Sequence, residues 1–222
     1  MDSFEEQILR YQEAPDPVKY ANSIRRLGRV ARLLWDIDVI GEERIPRKGA
    51  GILAFSHRSH TEIFLQGIIV PRALRAMMKQ EVQSYPIIGD YLAARGIFFV
   101  NREDPDPETI AETYSYLEQE LLLDMNPEGT SKNRGPKLGE LHPGVAVLAV
   151  KAARAGIDCP IVPVGMASEH LWRRPRGRVP VVVGYPFYPN IEGQKPGQAI
   201  RETHQRLERN LQYVFDLAVA VS

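Results

Sequence analysis

Short apolar runs separated by stretches of helical period constrain the fold of this chain more than any other feature. Three runs carry no charged residue, which is typical of strands buried on both faces: Gly51–Phe55, Ile161–Val164 and Val179–Val183. Further strands are expected over Ile37–Ile40, Leu74–Met78 and Ile97–Val100. Helical spacing covers Glu62–Val70, Pro86–Arg95, a segment from Asp106 to Leu121, Gly144–Ala155 and Pro196–Val219. This alternation predicts an α/β fold, a single αβ sandwich around a mixed, mostly parallel sheet.

A basic amphipathic segment precedes the alternating region. Val18–Leu34 carries five basic residues and no acidic one, whereas residues 1–16 are mainly acidic. At 100° per residue its apolar side chains share one arc, opposite the basic ones. Two interpretations stay open: the helix packs its apolar stripe on the domain, or it lies on an anionic membrane surface. We expect residues 1–35 to form an acidic segment and an N-terminal amphipathic helix, and residues 36–222 to form the main domain.

The composition indicates a globular chain without a dominant charge. Its 28 Lys and Arg residues balance 28 Asp and Glu residues over 222 positions, which argues against nucleic acid as a partner. The single Cys159 excludes an intramolecular disulfide and fits a reducing compartment. No apolar run approaches the roughly 18 residues of a membrane-spanning helix. We expect a cytoplasmic protein that associates peripherally with the inner face of the membrane.

The junction after Gly51–Phe55 carries the clearest chemical signal. His57 lies on the turn, and Glu62 follows five positions later in the first turn of the next helix. Open α/β sheets usually place their chemistry where strands give way to helices. A neutral imidazole accepts a proton from a hydroxyl near pH 7, and a carboxylate behind it fixes the tautomer. A helix cap with a satisfied polar neighbour is the plainer alternative.

Three further segments follow this pair in a characteristic order. They are Gly96–Arg102 (GIFFVNR), Pro127–Thr130 (PEGT) and Pro160–Gly165 (PIVPVG). Together with the His-x4-acid pair they resemble the motifs of the glycerolipid acyltransferases, which include the lysophosphatidate and glycerol-3-phosphate acyltransferases. The resemblance covers roughly residues 38–189. It implies an αβ sandwich that transfers an acyl group from a coenzyme A or acyl-carrier-protein thioester to a glycerol hydroxyl.

The resemblance also implies roles for the residues at the motif positions. His57 corresponds to the catalytic histidine and would deprotonate the acceptor hydroxyl, with Glu62 orienting its ring. A role in binding the acceptor is implied for Arg58, Lys79, Asn101, Arg102, Glu128, Gly129, Thr130 and Arg134. Backbone N–H groups at the start of the helix after His57 are the expected donors to the thioester carbonyl oxygen. Neither a metal nor a cofactor is expected.

Several positions depart from the family pattern. Glu62 stands where the family usually has Asp, and its extra methylene requires a different ring position or helix start. Asn126 replaces an aromatic or apolar residue, and Ser131 replaces an arginine for which Lys132 or Arg134 is the substitute. The usual Lys-x-Gly is His142–Pro143–Gly144. These departures leave open a non-glycerol acceptor, or a member of the same fold that binds lipid without catalysis.

A metallohydrolase is a further alternative. His57, His60 and Glu62 would then be ligands, with His142 or His170 completing the set, but this spacing is not a usual zinc pattern.

The favoured partners are an acyl thioester donor, a phosphate-bearing lipid or glycerol acceptor, and an anionic membrane surface. The basic segment before residue 35 and the arginine-rich loop at 172–178 would bind that surface.

Overall fold

A computed structural model describes Arg26 and residues 28–59, 62–70, 72–81, 96–100, 107–129, 136–167 and 177–222. Its strands are β1 Asp36–Ile40, β2 Gly51–Phe55, β3 Leu74–Lys79, β4 Ile97–Val100, β5 Leu122–Met125, β6 Ile161–Met166 and β7 Arg178–Val183. Its helices are α1 over residues 28–34, α2 Glu62–Ile69, α3 Pro107–Glu118, α4 Gly144–Arg154 and α5 Pro196–Ala220.

The strands form one seven-stranded sheet in the order β1-β7-β6-β2-β5-β3-β4. The block from β6 to β4 is parallel throughout. β7 pairs antiparallel with β6 and parallel with β1, so this pair runs against the other five strands. The predicted mixed, mostly parallel sheet is therefore confirmed.

The sheet is covered by helices on both faces. Alternate residues of each strand point to opposite faces, so Ile52 and Ala54 of β2 join one cluster while Leu53 and Phe55 join the other. The first cluster includes residues of α3, α4 and α5, and the second includes residues of α1 and α2. These layers make the expected αβ sandwich.

Strand β5 is missing from the sequence-based prediction, which continues a helix to Leu121. The structure ends α3 at Glu118, and Glu120 turns the chain with a positive φ of 58°. β5 then enters the middle of the sheet between β2 and β3. Leucine favours helices, so the Leu121–Leu123 run continues the helical pattern in the sequence. Pairing with two neighbouring strands overrides that local preference.

Helix α5 packs closely on β6 because the strand carries a glycine at the contact. A Cβ on Gly165 would lie 2.4 Å from the backbone carbonyl carbon and oxygen of Val214. Of the apolar residues on α5, Leu207, Leu211 and Val214 are buried, whereas Leu217 is 38% exposed. The predicted C-terminal helix over 196–219 is confirmed, with its end at Ala220.

The apolar arc of α1 packs on the domain only in part. Gly28 and Ala31 are buried, and a Cβ on Gly28 would lie 3.4 Å from a side chain of α2. Val30, Leu33 and Leu34 are 54%, 77% and 43% exposed. None of the described helices is long and apolar enough to cross a membrane.

Three predicted segments lie wholly or partly outside the described residues. These are the helix over 86–95, the arginine-rich loop at 172–178 before residue 177, and the part of the amphipathic segment before residue 28, Arg26 excepted. The division of the chain between residues 35 and 36 stays a prediction.

Candidate active site

The carboxyl ends of five parallel strands meet at one edge of the sheet, which is where α/β proteins usually bind their ligands. His57 follows β2 there, and Glu128 follows its neighbour β5. Two hydrogen bonds from Ser56 fix the end of β2 to β6. The backbone N–H of Ser56 donates to the carbonyl of Val164, and the Ser56 hydroxyl accepts the N–H of Met166 at 2.9 Å. The sheet therefore brings the first and third predicted motifs together.

His57 and Glu62 form a hydrogen-bonded pair. The imidazole Nδ1 lies 3.0 Å from Glu62 Oε2, and the same oxygen accepts the backbone N–H of Arg58 at 2.8 Å. The Glu62 side chain is fully buried, whereas 13% of the His57 side chain is exposed. The backbone N–H of Glu62 donates to the carbonyl of Ser59, and the Glu62 side chain reaches the ring.

Glu128 connects three segments of the site. Its Oε1 accepts the backbone N–H of His57 at 2.9 Å, and its Oε2 accepts the backbone N–H of Gly139 at 2.8 Å. Only 3% of Glu128 is exposed. The sequence implies a role in binding the acceptor, whereas in the structure both carboxylate oxygens hold backbone groups.

The third motif is a tight turn that begins at Asn126. The N–H of Gly129 donates to the carbonyl of Asn126 at 3.0 Å, with Pro127 at the second position of the turn. Gly129 has a φ of 62°, and a Cβ there would lie 2.9 Å from the His142 ring. The backbone N–H of His142 donates to Pro127 at 2.8 Å. Both the positive φ and the lack of space for a Cβ require glycine at position 129.

Arg58 departs most from the sequence-based expectation. Its side chain is fully buried, with the guanidinium 4.3 Å from the centre of the Phe215 ring on α5. Nη2 donates to the carbonyl of Lys137 at 2.9 Å. The residue expected to contact substrate is thus enclosed by the protein and joins the His57 turn to α5.

The remaining predicted binding residues are not placed. Asn101, Arg102, Thr130 and Arg134 lie outside the described residues, and Lys79 ends β3 without a described side chain. Whether they join the site stays a prediction.

Three of the described backbone donors near the start of α2 are used by the protein itself. The N–H groups of His57, Arg58 and Glu62 donate to Glu128, Glu62 and Ser59 respectively. These three groups therefore do not fit the expected role of donors to a thioester oxygen.

A buried polar stripe lies beside the His57–Glu62 pair and is absent from the sequence-based prediction. Gln66, one turn after Glu62 on α2, donates to Asn126 Oδ1 at 2.9 Å. Asp124 is 1% exposed, and within the described part of the chain neither of its carboxylate oxygens has a hydrogen-bond partner. Burial, and then the nearby Glu62 carboxylate, raise the pKa of Asp124 well above its usual range.

Sequence signals for this stripe exist only in part. Gln66 is the one uncharged polar side chain in an otherwise apolar helix after Glu62, and Asn126 is a visible departure from the family pattern. Asp124 gives no signal, because the sequence-based prediction ends a helix at Leu121 and assigns no strand to Leu122–Met125.

Within the described residues, no three His, Cys, Asp or Glu side chains converge as a metal site. His60 and His170 of the metallohydrolase alternative lie outside those residues. In the described arrangement, the Glu62 carboxylate holds one imidazole nitrogen of His57.

The family model named Acyltransferase matches residues 36–167, more than half of the chain. The chain belongs to the acyltransferase family, and its homologues are named as O-acyltransferases.

Two curated relatives illustrate the similarity. The chain is 24% identical to the 1-acyl-sn-glycerol-3-phosphate acyltransferase of Bacillus subtilis (strain 168) over 72% of this chain and 77% of that one. It is 28% identical to the enzyme of the same name from Limnanthes alba over 70% of this chain and 54% of that one.

The fold also matches a solved structure. The crystal structure of the 1-acyl-sn-glycerophosphate acyltransferase from Thermotoga maritima superposes with a TM-score of 0.67. The match is 20% identical and covers 89% of this chain and 80% of that one. It extends beyond residue 167, where the family match ends.

Proposed function

We propose that this protein transfers a fatty acyl group from an acyl thioester to a hydroxyl of a glycerophosphate-type acceptor such as lysophosphatidate. The observation that carries the proposal is the 3.0 Å contact between His57 Nδ1 and Glu62 Oε2 at the carboxyl edge of the sheet. The names of the relatives from Bacillus subtilis and Limnanthes alba support the choice of acceptor class.

His57 is the general base in this mechanism. Its Nε2 takes the proton of the acceptor hydroxyl while the hydroxyl oxygen attacks the thioester carbonyl carbon. Glu62 holds the tautomer with the proton on Nδ1 and stabilises the imidazolium that forms. Collapse of the tetrahedral intermediate breaks the C–S bond, and the thiolate receives the proton from His57. The thiol has a pKa of about 8.5, so its thiolate leaves without strong acid assistance.

The donor is an acyl thioester of coenzyme A or of an acyl carrier protein, and no resident cofactor takes part. Arg102, Thr130 and Arg134 are the proposed phosphate and glycerol ligands, with Lys79 and Asn101 beside them. This set rests on the family resemblance. Glu128 and Arg58 have structural roles in the proposal, because their polar atoms hold backbone groups.

The test follows thiol release from palmitoyl-coenzyme A. Purified protein is incubated with glycerol-3-phosphate, lysophosphatidate, a neutral lysolipid or buffer, and His57→Ala is assayed beside the wild type. Release that depends on lysophosphatidate and is lost in His57→Ala is expected. Release with the neutral lysolipid alone would assign a different acceptor.

The absence of release with every acceptor, repeated with an acyl carrier protein thioester, would contradict the proposal. It would favour the second candidate, a lipid-binding member of the fold without catalysis. The Glu at position 62 in place of Asp is the observation that keeps this candidate open.

We further propose that α1 rests on an anionic membrane surface, which fits a lipid acceptor. Arg29 and Arg32 are exposed beside the apolar Val30, Leu33 and Leu34. Basic and apolar side chains on one short helix suit the headgroup boundary of a membrane. Sedimentation with vesicles of phosphatidylglycerol is expected to exceed that with phosphatidylcholine and to fall at high salt. Equal sedimentation would contradict this placement.

A further inference from the structure

The C-terminal helix α5 contacts the active-site loops although it lies outside the region that matches the acyltransferase family model. Phe215 of α5 is 1% exposed, and its ring stacks on the buried guanidinium of Arg58 at 4.3 Å. On the same helix, the side-chain oxygen of Gln212 accepts the backbone N–H of Leu138 at 2.9 Å. One helix thus holds two separate loops.

The orientation of the Gln212 amide is itself fixed. Its Nε2 donates to Asp216 Oδ1 at 2.7 Å, so its carbonyl oxygen is the atom that faces Leu138. A fixed amide holds the loop at 136–139 more effectively than a freely rotating one, because less side-chain entropy is lost at the contact.

The two contacts lead to the His57–Glu62 pair, through two interactions on one side and three on the other. On one side, Phe215 packs on Arg58, whose backbone N–H donates to Glu62 Oε2 at 2.8 Å. On the other side, the loop held by Gln212 includes Gly139, whose N–H donates to Glu128, and Glu128 accepts the N–H of His57. Arg58 also donates to Lys137 in the same loop, which closes the network.

We propose that Phe215 and Gln212 are positioning residues for the reaction, which orient His57 and Glu62 from the C-terminal helix. The inference rests on the proposed function of His57 as the base. The effect of Phe215 and Gln212 is to hold the backbone at 57–58 and at 137–139, from which Glu62 and Glu128 receive their hydrogen bonds.

The close packing of α5 on the sheet makes the helix a rigid support for Phe215 and Gln212. Gly165 of β6 allows the helix backbone to approach directly, so Phe215 cannot move without moving the helix. Displacement of a catalytic group by about 1 Å commonly costs a hundredfold in rate, so a small loss of support is measurable.

The test compares Phe215→Leu and Gln212→Leu with the control Leu207→Val in steady-state acyl transfer. Leu207 is buried on the same helix but belongs only to the apolar cluster. Both test variants are expected to lower kcat by about tenfold or more while the acceptor KM stays within about twofold. The control is expected to retain kcat.

A second measurement does not require turnover. The low-field proton resonance of His57 Nδ1–H, assigned by its loss in His57→Gln, reports the contact with Glu62. It is expected to shift or broaden in Phe215→Leu and Gln212→Leu and to remain unchanged in Leu207→Val. If the wild type transfers no acyl group, the proposed function fails while this resonance still tests the positioning role.

An unchanged kcat and resonance in folded Phe215→Leu and Gln212→Leu would overturn the inference. So would equal losses in Leu207→Val, since general destabilisation would then explain them. If Phe215→Leu does not fold, Gln212→Leu decides the question, because that side chain is only half-buried.

Discussion

Replacing Asp124 by asparagine removes an ionisable group from the buried polar stripe and leaves its shape nearly unchanged. Burial and the neighbouring Glu62 carboxylate raise the pKa of Asp124 in the folded protein. In the unfolded chain the pKa of an aspartate is about 3.9. Between these two values the folded protein binds more protons than the unfolded one, so the stability of the wild type falls as the pH rises.

The expected size of this effect follows from linkage. The free energy of unfolding of the wild type should decrease relative to that of Asp124→Asn by about 1.4 kcal/mol per pH unit. The decrease begins near pH 4 and ends where the raised pKa of Asp124 is passed. Asparagine also has no partner there among the described residues, but that cost does not change with pH and cancels in the slope.

The assay is urea unfolding of both proteins at half-unit steps from pH 4.5 to 8, extrapolated to zero denaturant. Asp124→Asn should gain stability relative to the wild type as the pH rises. Because the asparagine mimics the neutral acid, its thiol release with palmitoyl-coenzyme A near neutral pH should stay within about twofold of the wild type. Parallel stability curves, or a wild type that gains stability with pH relative to the variant, would refute the reasoning.

Three further predictions test the packing of the site. Gly165→Ala would place a Cβ 2.4 Å from the α5 backbone and should lower stability by about 1–3 kcal/mol in urea unfolding, whereas Gly197→Ala, with 3.7 Å to its nearest atom, should not. Cys159 is 2% exposed and burial raises its pKa to about 12, so iodoacetamide at pH 8 should label it only after unfolding; rapid native labelling would contradict this. Glu128→Gln places an amide NH2 against one of the two backbone N–H groups that Glu128 now accepts, so kcat should fall about tenfold with little change in acceptor KM. A raised KM with unchanged kcat would instead support a role of Glu128 in acceptor binding.

The layers of the fold follow from the sequence because burial leaves a clear pattern. The charge-free runs of β2, β6 and β7 and the period of α4 and α5 identify those elements directly. No such pattern identifies β5, because its two leucines continue the pattern of the preceding helix and its third residue is an aspartate. Only the pairing with β2 and β3 makes this segment a strand.

The site is predictable to the extent that its residues are close in sequence. His57 and Glu62 lie within one turn and the start of one helix, and the structure brings them into contact at 3.0 Å. The roles of Arg58 and Glu128 depend on contacts with residues far along the chain, such as Phe215 and Gly139. Residue type alone indicates a phosphate ligand at Arg58, and only the tertiary packing shows that its charge is enclosed.

The central claim is that His57 and Glu62 act as one catalytic unit, and a double-mutant cycle tests it most directly. Acceptor-dependent thiol release is measured for the wild type, His57→Ala, Glu62→Gln and the double variant at equal folded concentration. If Glu62 acts through His57, the double variant will be no slower than His57→Ala alone. Acceptor-dependent release that survives in His57→Ala, or losses that simply add in the double variant, would contradict the account.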